Sequence, residues 1–215
     1  MPFAKKIETE AGKIGIWEIA ETADKLQTEY IFSPTEATEF NKIMAEKRKV
    51  EFLATRLILQ RLLDNKIEIQ YHDSGKPVLV NCNLHISISH SADLVVAMVS
   101  NQKNGIDVER IDRNIDRVAK RFLSHEEYSH IQNLDKQQMA KIIYWGAKES
   151  IFKCSDYQGI NFYKQIIIHP FKVENDGNFT GMLIADDITE HFELWHFKFK
   201  NNMVVYCVED KNEKL

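Results

Sequence analysis

Two short segments contain residues that could bind a metal ion and a phosphate. In the first, Gly105-Ile106-Asp107-Val108-Glu109, two carboxylates alternate with apolar residues directly after an apolar run that predicts a β-strand. Because successive strand side chains point to opposite faces, Asp107 and Glu109 face the same side. Neighbouring carboxylates repel unless a positive charge lies between them, and Mg²⁺ prefers oxygen ligands. The pair therefore indicates a divalent-cation site, although an exposed strand face near a turn is the alternative.

The second segment, Trp145 to Lys153, predicts a helix. Glu149 and Lys153 are four residues apart and share a helix face, so they could bring a third carboxylate and a phosphate-seeking lysine to the same ion. The alternative is a surface ion pair worth about 0.3–0.5 kcal/mol. Large apolar neighbours, Ile151 and Phe152 among them, favour a packed helix whose charged face lines a cleft.

Other polar segments could contact phosphates. A hydroxyl and an imidazole in Ser89-His90-Ser91 can donate hydrogen bonds to phosphate oxygens, although a strand-ending turn is an equal alternative. A serine hydrolase fits poorly, because Ser89 and His90 are adjacent and point apart, and no Gly-x-Ser-x-Gly elbow is present. Gly75-Lys76-Pro77 presents a lysine on a stiff turn. The basic residues at Lys47–Lys49 and Arg56 are typical of a solvated helix face.

Composition excludes several classes of protein. The chain has 215 residues, 44% of them hydrophobic, which is enough for one large domain or two small halves. A net charge of −4 argues against a general nucleic-acid binder. We see neither a membrane-span-length apolar stretch nor a secretory signal. Cys82, Cys154 and Cys207 are widely spaced and odd in number, which argues against disulfides and a zinc knuckle and indicates a reduced cytoplasmic location.

The helix signals occur twice along the chain. Ser33 to Glu36 predicts a helix start with Ser33 as N-cap, and apolar spacing from Thr38 to Leu63 predicts a long helix. Ser124 to Glu127 is a second capping box, and Gln138 to Cys154 predicts another long helix. Helix-rich segments followed by strand-rich segments in both halves predict the α+β class.

The turn at 101–105 predicts a hairpin that leads into the Asp107 strand. We therefore expect an N-terminal α+β half at 1–102 and a C-terminal α+β half at 103–215, the latter carrying the metal site. The other predicted strands are 12–20, 67–71, 84–89, 94–99, 166–169, 171–173, 179–184, 191–198 and 203–209.

In order along the chain, four motifs resemble those of the 4′-phosphopantetheinyl transferases, in particular the larger pseudo-dimeric type that resembles the surfactin-synthetase activator. Any one of these motifs alone would be weak, but four in this order make a specific match. They are Gly75-Lys76-Pro77, Ile88-Ser89-His90-Ser91, Gly105-Ile106-Asp107-Val108-Glu109, and Trp145 through Lys153.

The resemblance implies a fold of two similar α+β halves that form a pseudo-dimer, each an antiparallel sheet packed with a long helix, with coenzyme A bound between them. It implies Mg²⁺-dependent transfer of the 4′-phosphopantetheine arm of coenzyme A to a serine of an acyl or peptidyl carrier protein, which releases adenosine 3′,5′-bisphosphate. We expect a cytoplasmic monomer with no nucleic-acid or membrane partner.

The resemblance also implies a role for individual residues. The ligands of Mg²⁺ would be Asp107, Glu109 and Glu149. The contacts to coenzyme A would come from Ser89 and His90 at phosphate groups, Lys76 at the adenine end, and either Arg48 or Arg56 at a phosphate. Lys148 and Lys153 would contact phosphates or help to assemble the site. Glu149 is the first candidate for the base that accepts the serine proton and Glu127 the second.

Two other functions compete with the transferase. A non-catalytic coenzyme A-binding module could keep the same fold, and an Mg²⁺-dependent phosphohydrolase would also need clustered carboxylates. Because carrier proteins are usually acidic, residues 113–122 are a candidate docking patch, although a solvated helix face explains these residues equally well.

Overall fold

The computed structural model describes residues 3–80, 82–185 and 187–210. The chain forms two units, Met1–Asn101 and Gln102–Leu215. Among the described helices, none has the length and apolar character needed to cross a bilayer.

The N-terminal unit is an antiparallel sheet packed against a long helix. The four-stranded sheet has the order β1-β2-β6-β5, and β3 pairs with β4 in a separate ribbon. The elements are β1 (Phe3–Thr9), β2 (Gly12–Glu18), α1 (Ala23–Gln27), α2 (Pro34–Lys42), α3 (Glu46–Leu63), β3 (Ile69–Tyr71), β4 (Pro77–Leu79), β5 (His85–Ser91) and β6 (Leu94–Ser100). Apolar residues of α3 at helical spacing, such as Leu53, Leu57 and Ile58, are buried in the core of this unit.

The C-terminal unit repeats this design with a larger sheet. Its five antiparallel strands have the order β7-β11-β10-β9-β8. The elements are β7 (Asn104–Arg110), α4 (Asp116–Phe122), α5 (His125–Gln132), α6 (Gln137–Cys154), α7 (Phe162–Gln165), β8 (Ile166–Ile168), β9 (Asp176–Ala185), β10 (Ile188–Phe199) and β11 (Asn202–Glu209). The 18-residue helix α6 packs across β7 and β11, which places the second sequence segment beside the first.

Glycines allow α6 to lie directly on the sheet. A Cβ atom at Gly105 would be 1.8 Å from the carbonyl oxygen of Ser150, and one at Gly146 would be 2.9 Å from Cγ2 of Val205. Ser150 Oγ donates a 3.0 Å hydrogen bond to the carbonyl oxygen of Val205. Larger residues at either glycine would push the helix away from the strands, so the side chains of α6 next to β7 depend on this close approach.

The α+β class is confirmed, because each unit combines an antiparallel sheet with an 18-residue helix. Both predicted capping boxes are present, at Ser33 with Glu36 and at Ser124 with Glu127. The closing pair of strands is also confirmed, as β10 and β11 pair in antiparallel register.

Several element predictions were wrong. The predicted helix from 38 to 63 is interrupted, because Ile43 and Ala45 have extended backbone angles between α2 and α3. No strand forms at 171–173; Phe171 instead stacks on Phe179 with ring centroids 4.4 Å apart. Ser89-His90-Ser91 continues β5 and is not a strand-ending turn.

The predicted hairpin into the Asp107 strand was also wrong. Strand β6 pairs with β2 and β5, whereas β7 pairs with β11 from the end of the chain. Gly105 lies inside β7, where it admits the backbone of α6, so its lack of a side chain serves packing and not a tight turn.

Candidate functional site

An acidic cluster lies where α6 packs on β7. Asp107 and Glu109 share a face of β7, as strand alternation predicts, and Glu149 stands on α6 within electrostatic reach of both. Burial of its carboxyl group raises the pKa of Glu149 from 4.5 to about 7, and the negative charges of Asp107 and Glu109 contribute to this increase. The three carboxylates therefore form one electrostatic unit.

Basic and polar side chains already contact two of these carboxylates. Lys153 Nζ lies 2.8 Å from Asp107 Oδ1 and donates to the carbonyl oxygen of Ile106 at 3.0 Å. Glu109 pairs with Arg113 and accepts a 3.0 Å hydrogen bond from Trp145 Nε1. Within the described ranges, no group of three or more His, Cys, Asp or Glu side chains stands ready to hold a metal ion.

The donor chemistry of the cluster nevertheless fits a hard divalent cation. All three acidic side chains offer oxygen ligands, which Mg²⁺ prefers. Burial is the main cause of the raised pKa of Glu149, Asp107 and Glu109 add to it, and Lys153 and Arg113 act in the opposite direction. A cation could bind if Lys153 moved from Asp107 to an incoming anion, so the ligand set requires a rearrangement of these ion pairs.

An apolar cavity of about 430 Å³ opens beside Glu149. Its other lining residues are Val118, Arg121, Phe122, Trp145, Asn161 and Phe162. The Trp145 ring packs against Phe122 and Phe162, with centroid distances of 5.0 and 6.0 Å. A group that enters this cavity would meet the Glu149 carboxyl between aromatic walls that displace water.

Lys148 and Glu127 belong to the interior of the unit. Lys148 Nζ is fully buried and lies 2.8 Å from Glu127 Oε2, while it also donates to the carbonyl oxygens of Phe162 and Ile166 at 2.8 and 2.6 Å. Glu127 also accepts hydrogen bonds from the backbone N–H groups of Ser124 and Ile168. Burial lowers the pKa of Lys148, and Glu127 opposes this change.

These contacts correct two predicted roles. Lys148 is not positioned to contact a phosphate, because its ammonium group is enclosed by protein acceptors. Glu127 is a poor candidate for the base, because its buried carboxylate already holds a lysine and two backbone N–H groups. The pair joins α5 and α6 to β8, and this supports the other predicted role of Lys148, assembly of the site.

A second cavity, of about 480 Å³, lies in the N-terminal unit. Arg48 from α3 and His90 from β5 line it, and Arg48 Nη1 donates a 3.0 Å hydrogen bond to His90 Nε2. Gly75, with φ +82°, and Pro77 also line it and flank Lys76 in the sequence. The other lining residues are Ile43, Glu51, Phe52, Thr55, Tyr71 and Ile88.

The structure does not bring Ser89 to the lining of this cavity. Ser89 is buried and alternates with His90 along β5, so the two side chains point to opposite faces of the sheet. Of these two predicted phosphate contacts, only His90 lines the cavity.

The structure also separates the two arginines that the sequence left as alternatives. Arg56 has no exposed surface, and its Nε lies 2.8 Å from Glu36 Oε1. Its guanidinium lies over the Phe52 ring at 3.3 Å, while Tyr30 Oη donates to the same Glu36 carboxylate at 2.9 Å. Arg56 is thus held in the interior, and the prediction that it reaches a phosphate is corrected in favour of Arg48.

Three contact residues were not found from the sequence. Glu51 lies 2.9 Å from Arg48, and its position three residues further along a predicted helix was a usable signal. Trp145 begins the predicted helix segment but was given no role of its own, although its indole N–H donates to Glu109. Arg113 follows β7 in an irregular segment, and no periodic pattern pointed to its pairing with Glu109.

Comparison with known proteins identifies relatives of this chain. The sequence profile of the 4′-phosphopantetheinyl transferase superfamily matches residues 104–208. The 4′-phosphopantetheinyl transferase gsp of Aneurinibacillus migulanus is 31% identical over 107 residues, which are 48% of this chain and 45% of the relative. The 4′-phosphopantetheinyl transferase Sfp of Bacillus subtilis is 32% identical over 108 residues, which are 48% of each chain.

A third relative aligns over a longer region. The 4′-phosphopantetheinyl transferase HetI of a Nostoc species is 25% identical over 174 residues, which are 72% of this chain and 73% of the relative. The chain thus spans about half the length of the gsp and Sfp relatives and more of HetI. The matched profile contains β7 and α6 with the acidic cluster. The chain is thus similar to 4′-phosphopantetheinyl transferases across residues 104–208 and, in the HetI alignment, over 72% of its length.

Proposed function

We propose that this protein transfers the 4′-phosphopantetheine arm of coenzyme A to a serine of an acyl or peptidyl carrier protein, with Mg²⁺, and releases adenosine 3′,5′-bisphosphate. Similarity to the 4′-phosphopantetheinyl transferase superfamily at residues 104–208 and to HetI supports this activity. The observation that carries the proposal is the cluster of Asp107, Glu109 and Glu149, in which a carboxyl group with a pKa of about 7 adjoins an apolar cavity.

The acidic cluster would hold the cation. Asp107, Glu109 and Glu149 would supply its protein ligands, and the bound Mg²⁺ would stabilise negative charge on the phosphate oxygens of coenzyme A. Lys153 now pairs with Asp107, and it would turn to a phosphate oxygen when the substrate binds. Trp145 and Arg113 would keep the Glu109 carboxylate oriented. In this proposal, the three acidic residues and Lys153 keep the roles predicted for them from the sequence.

Glu149 is the group that would move a proton. The serine oxygen of the carrier protein forms a bond to the phosphorus that bears the pantetheine arm, and the bond from that phosphorus to the oxygen of the adenosine phosphate breaks. The serine proton passes to Glu149, directly or through a water molecule. In the protein without the cation, burial raises the pKa of Glu149 to about 7; a bound cation would favour the ionised carboxylate, which is the form that accepts the proton. The aromatic wall formed by Phe122, Trp145 and Phe162 would limit competing water.

The N-terminal cavity would take the nucleotide end of coenzyme A. Arg48 offers donors to a phosphate group, His90 lies beside it as the acceptor of an Arg48 hydrogen bond, and Lys76 follows Gly75 at the cavity. The N-terminal unit would thus recognise the nucleotide, and the C-terminal unit would supply the chemistry.

The carrier protein is proposed to dock beside Glu149. Val118, Arg121 and Phe122 belong to the predicted 113–122 patch and also line the Glu149 cavity, which supports a basic and apolar contact there. We retain the monomeric state and the cytoplasmic location as parts of the proposal.

Intact-mass measurement of a purified apo-carrier protein tests the proposal. The carrier is incubated with coenzyme A, Mg²⁺ and this protein, and we expect its mass to increase by one phosphopantetheine arm. Breakdown of coenzyme A with an unmodified carrier would support the phosphohydrolase instead. Binding of coenzyme A with neither product would support the non-catalytic module.

Two charge-matched variants control this experiment. Glu149→Gln removes the base and a cation ligand, whereas Glu193→Gln removes an exposed carboxylate on β10 of the same unit. We expect only Glu149→Gln to stop the mass increase, with both variants folded by circular dichroism. Normal modification of the carrier by Glu149→Gln would contradict the assigned role.

A further inference from the structure

We propose that Glu51 is a positioning residue for phosphate recognition in the N-terminal cavity, where it and His90 hold the Arg48 guanidinium in one arrangement suited to a terminal phosphate monoester. This inference rests on the proposed function, because the monoester is the 3′-phosphate of coenzyme A. Glu51 itself would not touch the ligand, and its effect would pass through Arg48 and His90.

The contacts form a closed triangle. Arg48 Nη1 lies 2.9 Å from Glu51 Oε2 and donates to His90 Nε2 at 3.0 Å. The third side runs from His90 Nδ1 to Glu51 Oε1 at 3.7 Å. Arg48 and His90 therefore both lie against the same carboxylate, although Arg48 comes from α3 and His90 from β5.

The hydrogen bonds determine which ring nitrogen carries the proton. A guanidinium group can only donate, so His90 Nε2 must accept from Arg48. The neutral ring then carries its hydrogen on Nδ1, the atom that faces Glu51 Oε1. The hydrogen bond from Arg48 thus selects one tautomer, and the Glu51 carboxylate lies on the side of the ring that carries the hydrogen.

Glu51, which we call the anchor, is more buried than the two side chains that it contacts. The Glu51 side chain is 7% exposed, whereas those of Arg48 and His90 are 62% and 37% exposed. Without the anchor, the long arginine side chain would sample several rotamers, and ordering it on ligand binding would cost free energy. Thr55 Oγ1 donates to the backbone carbonyl oxygen of Glu51 at 2.8 Å, which fixes the helix turn that carries the anchor.

A carboxylate in an anion site also has an electrostatic cost. Glu51 is compensated by Arg48, and the Lys47 ammonium lies 4.0 Å away, so local charge is not left negative. Only Nη1 of Arg48 bonds to Glu51 and His90, so the remaining donors of its planar fork are not used in the triangle. That fork matches phosphate oxygens geometrically. We therefore expect that ordering of Arg48 by Glu51 favours phosphate binding more than repulsion between Glu51 and the phosphate opposes it.

The test compares coenzyme A with 3′-dephospho-coenzyme A, which lacks only the monoester. Titration calorimetry gives the dissociation constants of both ligands for the wild type, Glu51→Gln, Arg48→Met and the double variant. We expect the wild type to prefer coenzyme A by about tenfold or more, as a charge-assisted contact allows. Glu51→Gln should lose most of this preference and raise KM for coenzyme A with kcat unchanged.

The double variant distinguishes positioning from a merely structural role. If Glu51 acts through Arg48, Glu51→Gln should change the preference much less in the Arg48→Met background. Equal effects in both backgrounds, or an undiminished preference in Glu51→Gln, would overturn the inference. Glu10→Gln, an exposed site in a turn, is the charge control.

Two results separate this inference from the proposed function. If the wild type binds neither ligand, the proposed function fails and takes the inference with it. If the wild type binds coenzyme A and modifies the carrier, but Glu51→Gln behaves identically, only the inference fails. Should Glu51→Gln not fold, Glu51→Asp retains the charge but shortens the reach, and the same loss of preference is expected.

Discussion

Each unit contains one buried ion pair between a capping-box glutamate and a basic residue of the long helix, and we call this pair the frame. The charged groups that the two long helices carry outside the frame differ in sign. In the N-terminal unit, the capping-box residue Glu36 also pairs with Arg56, which α3 carries into the core. In the C-terminal unit, the capping-box residue Glu127 pairs with Lys148 of α6. Each short helix is thus joined to the following long helix by one glutamate that performs both tasks.

The difference lies in what each long helix adds beyond this frame. Helix α3 carries Arg48 towards His90 and lines a cavity suited to an anion. Helix α6 carries Glu149 towards Asp107 and Glu109 and creates a cluster of acidic side chains. One architecture can therefore carry different charged groups on its two long helices, because the frame is buried and separate from them.

The largest expected effect separates chemistry from binding. Glu149→Gln should lower kcat for carrier modification by about 10²–10⁴-fold, because the proton acceptor is lost. Arg48→Met should instead raise KM for coenzyme A by about tenfold and leave kcat nearly unchanged, because a ground-state contact is removed. Steady-state kinetics of both variants, with Glu193→Gln as control, checks the division. A kcat defect in Arg48→Met would contradict it.

The next effect concerns the shared frame. Lys148→Met and Arg56→Met should each lower the free energy of unfolding by about 3–5 kcal/mol, because each leaves a buried carboxylate without its cation. Hydrogen exchange should localise the loss to α6 in the first variant and to α3 in the second.

Double variants test whether this loss comes from the orphaned charge. Glu127→Gln combined with Lys148→Met should recover most of the stability, since no unpaired buried charge remains. The equivalent pair is Glu36→Gln with Arg56→Met. Additive losses in chemical denaturation would indicate that packing, and not charge, dominates the frame.

A smaller effect should appear as a pH dependence of the C-terminal unit. Between pH 4.5 and about 7, native Glu149 keeps a proton that the unfolded chain releases, so the free energy of unfolding falls as pH rises. Each pH unit contributes at most about 1.4 kcal/mol, and partial exposure reduces the total to about 2 kcal/mol. Denaturation of the metal-free protein across this range measures the slope.

Two changes should remove the contribution of Glu149 to that slope. Glu149→Gln eliminates the titrating group, and a saturating concentration of Mg²⁺ should favour the ionised carboxylate if the cluster binds it. Glu193→Gln should retain the wild-type slope. An unchanged slope in Glu149→Gln would show that other groups control the pH dependence.

The smallest expected effect concerns the serines of the two capping boxes and tests whether they stabilise the two units equally. Ser33→Ala and Ser124→Ala each remove the acceptor for the N3 backbone N–H, and each should cost about 1 kcal/mol. Thermal unfolding of the two variants beside Ser33→Thr and Ser124→Thr, which keep an acceptor, gives the comparison. A cost confined to one unit would indicate that the boxes contribute differently.

The fold was predictable where local chemistry agrees with the final structure. Both capping boxes and the alternating strands β10 and β11 could be found because they depend on nearby residues. Strand β1 was missed because it lies at a sheet edge and its sequence is mostly polar, so alternation is weak. The hairpin at 101–105 was wrong because β7 pairs with a strand about 100 residues later.

The candidate site was predictable in part. The spacing of Asp107 and Glu109 put both carboxylates on one face, and the helix pattern put Glu149 and Lys153 together. Nothing in the local pattern showed that Lys148, adjacent to Glu149, faces the interior and pairs with Glu127. That distinction depends on which face of α6 is buried, and the sheet beneath the helix decides it.

Local sequence by itself determined the α+β class, the helix starts and the residues able to bind a cation or a phosphate, because period and capping chemistry operate over a few residues. Tertiary structure alone decided which charges became reactive and which became structural. Arg48 and Arg56 lie on one helix, yet only Arg56 meets a buried carboxylate from another element. Burial and partner choice come from contacts distant in the chain, and these contacts determine whether a charged side chain serves the frame or the site.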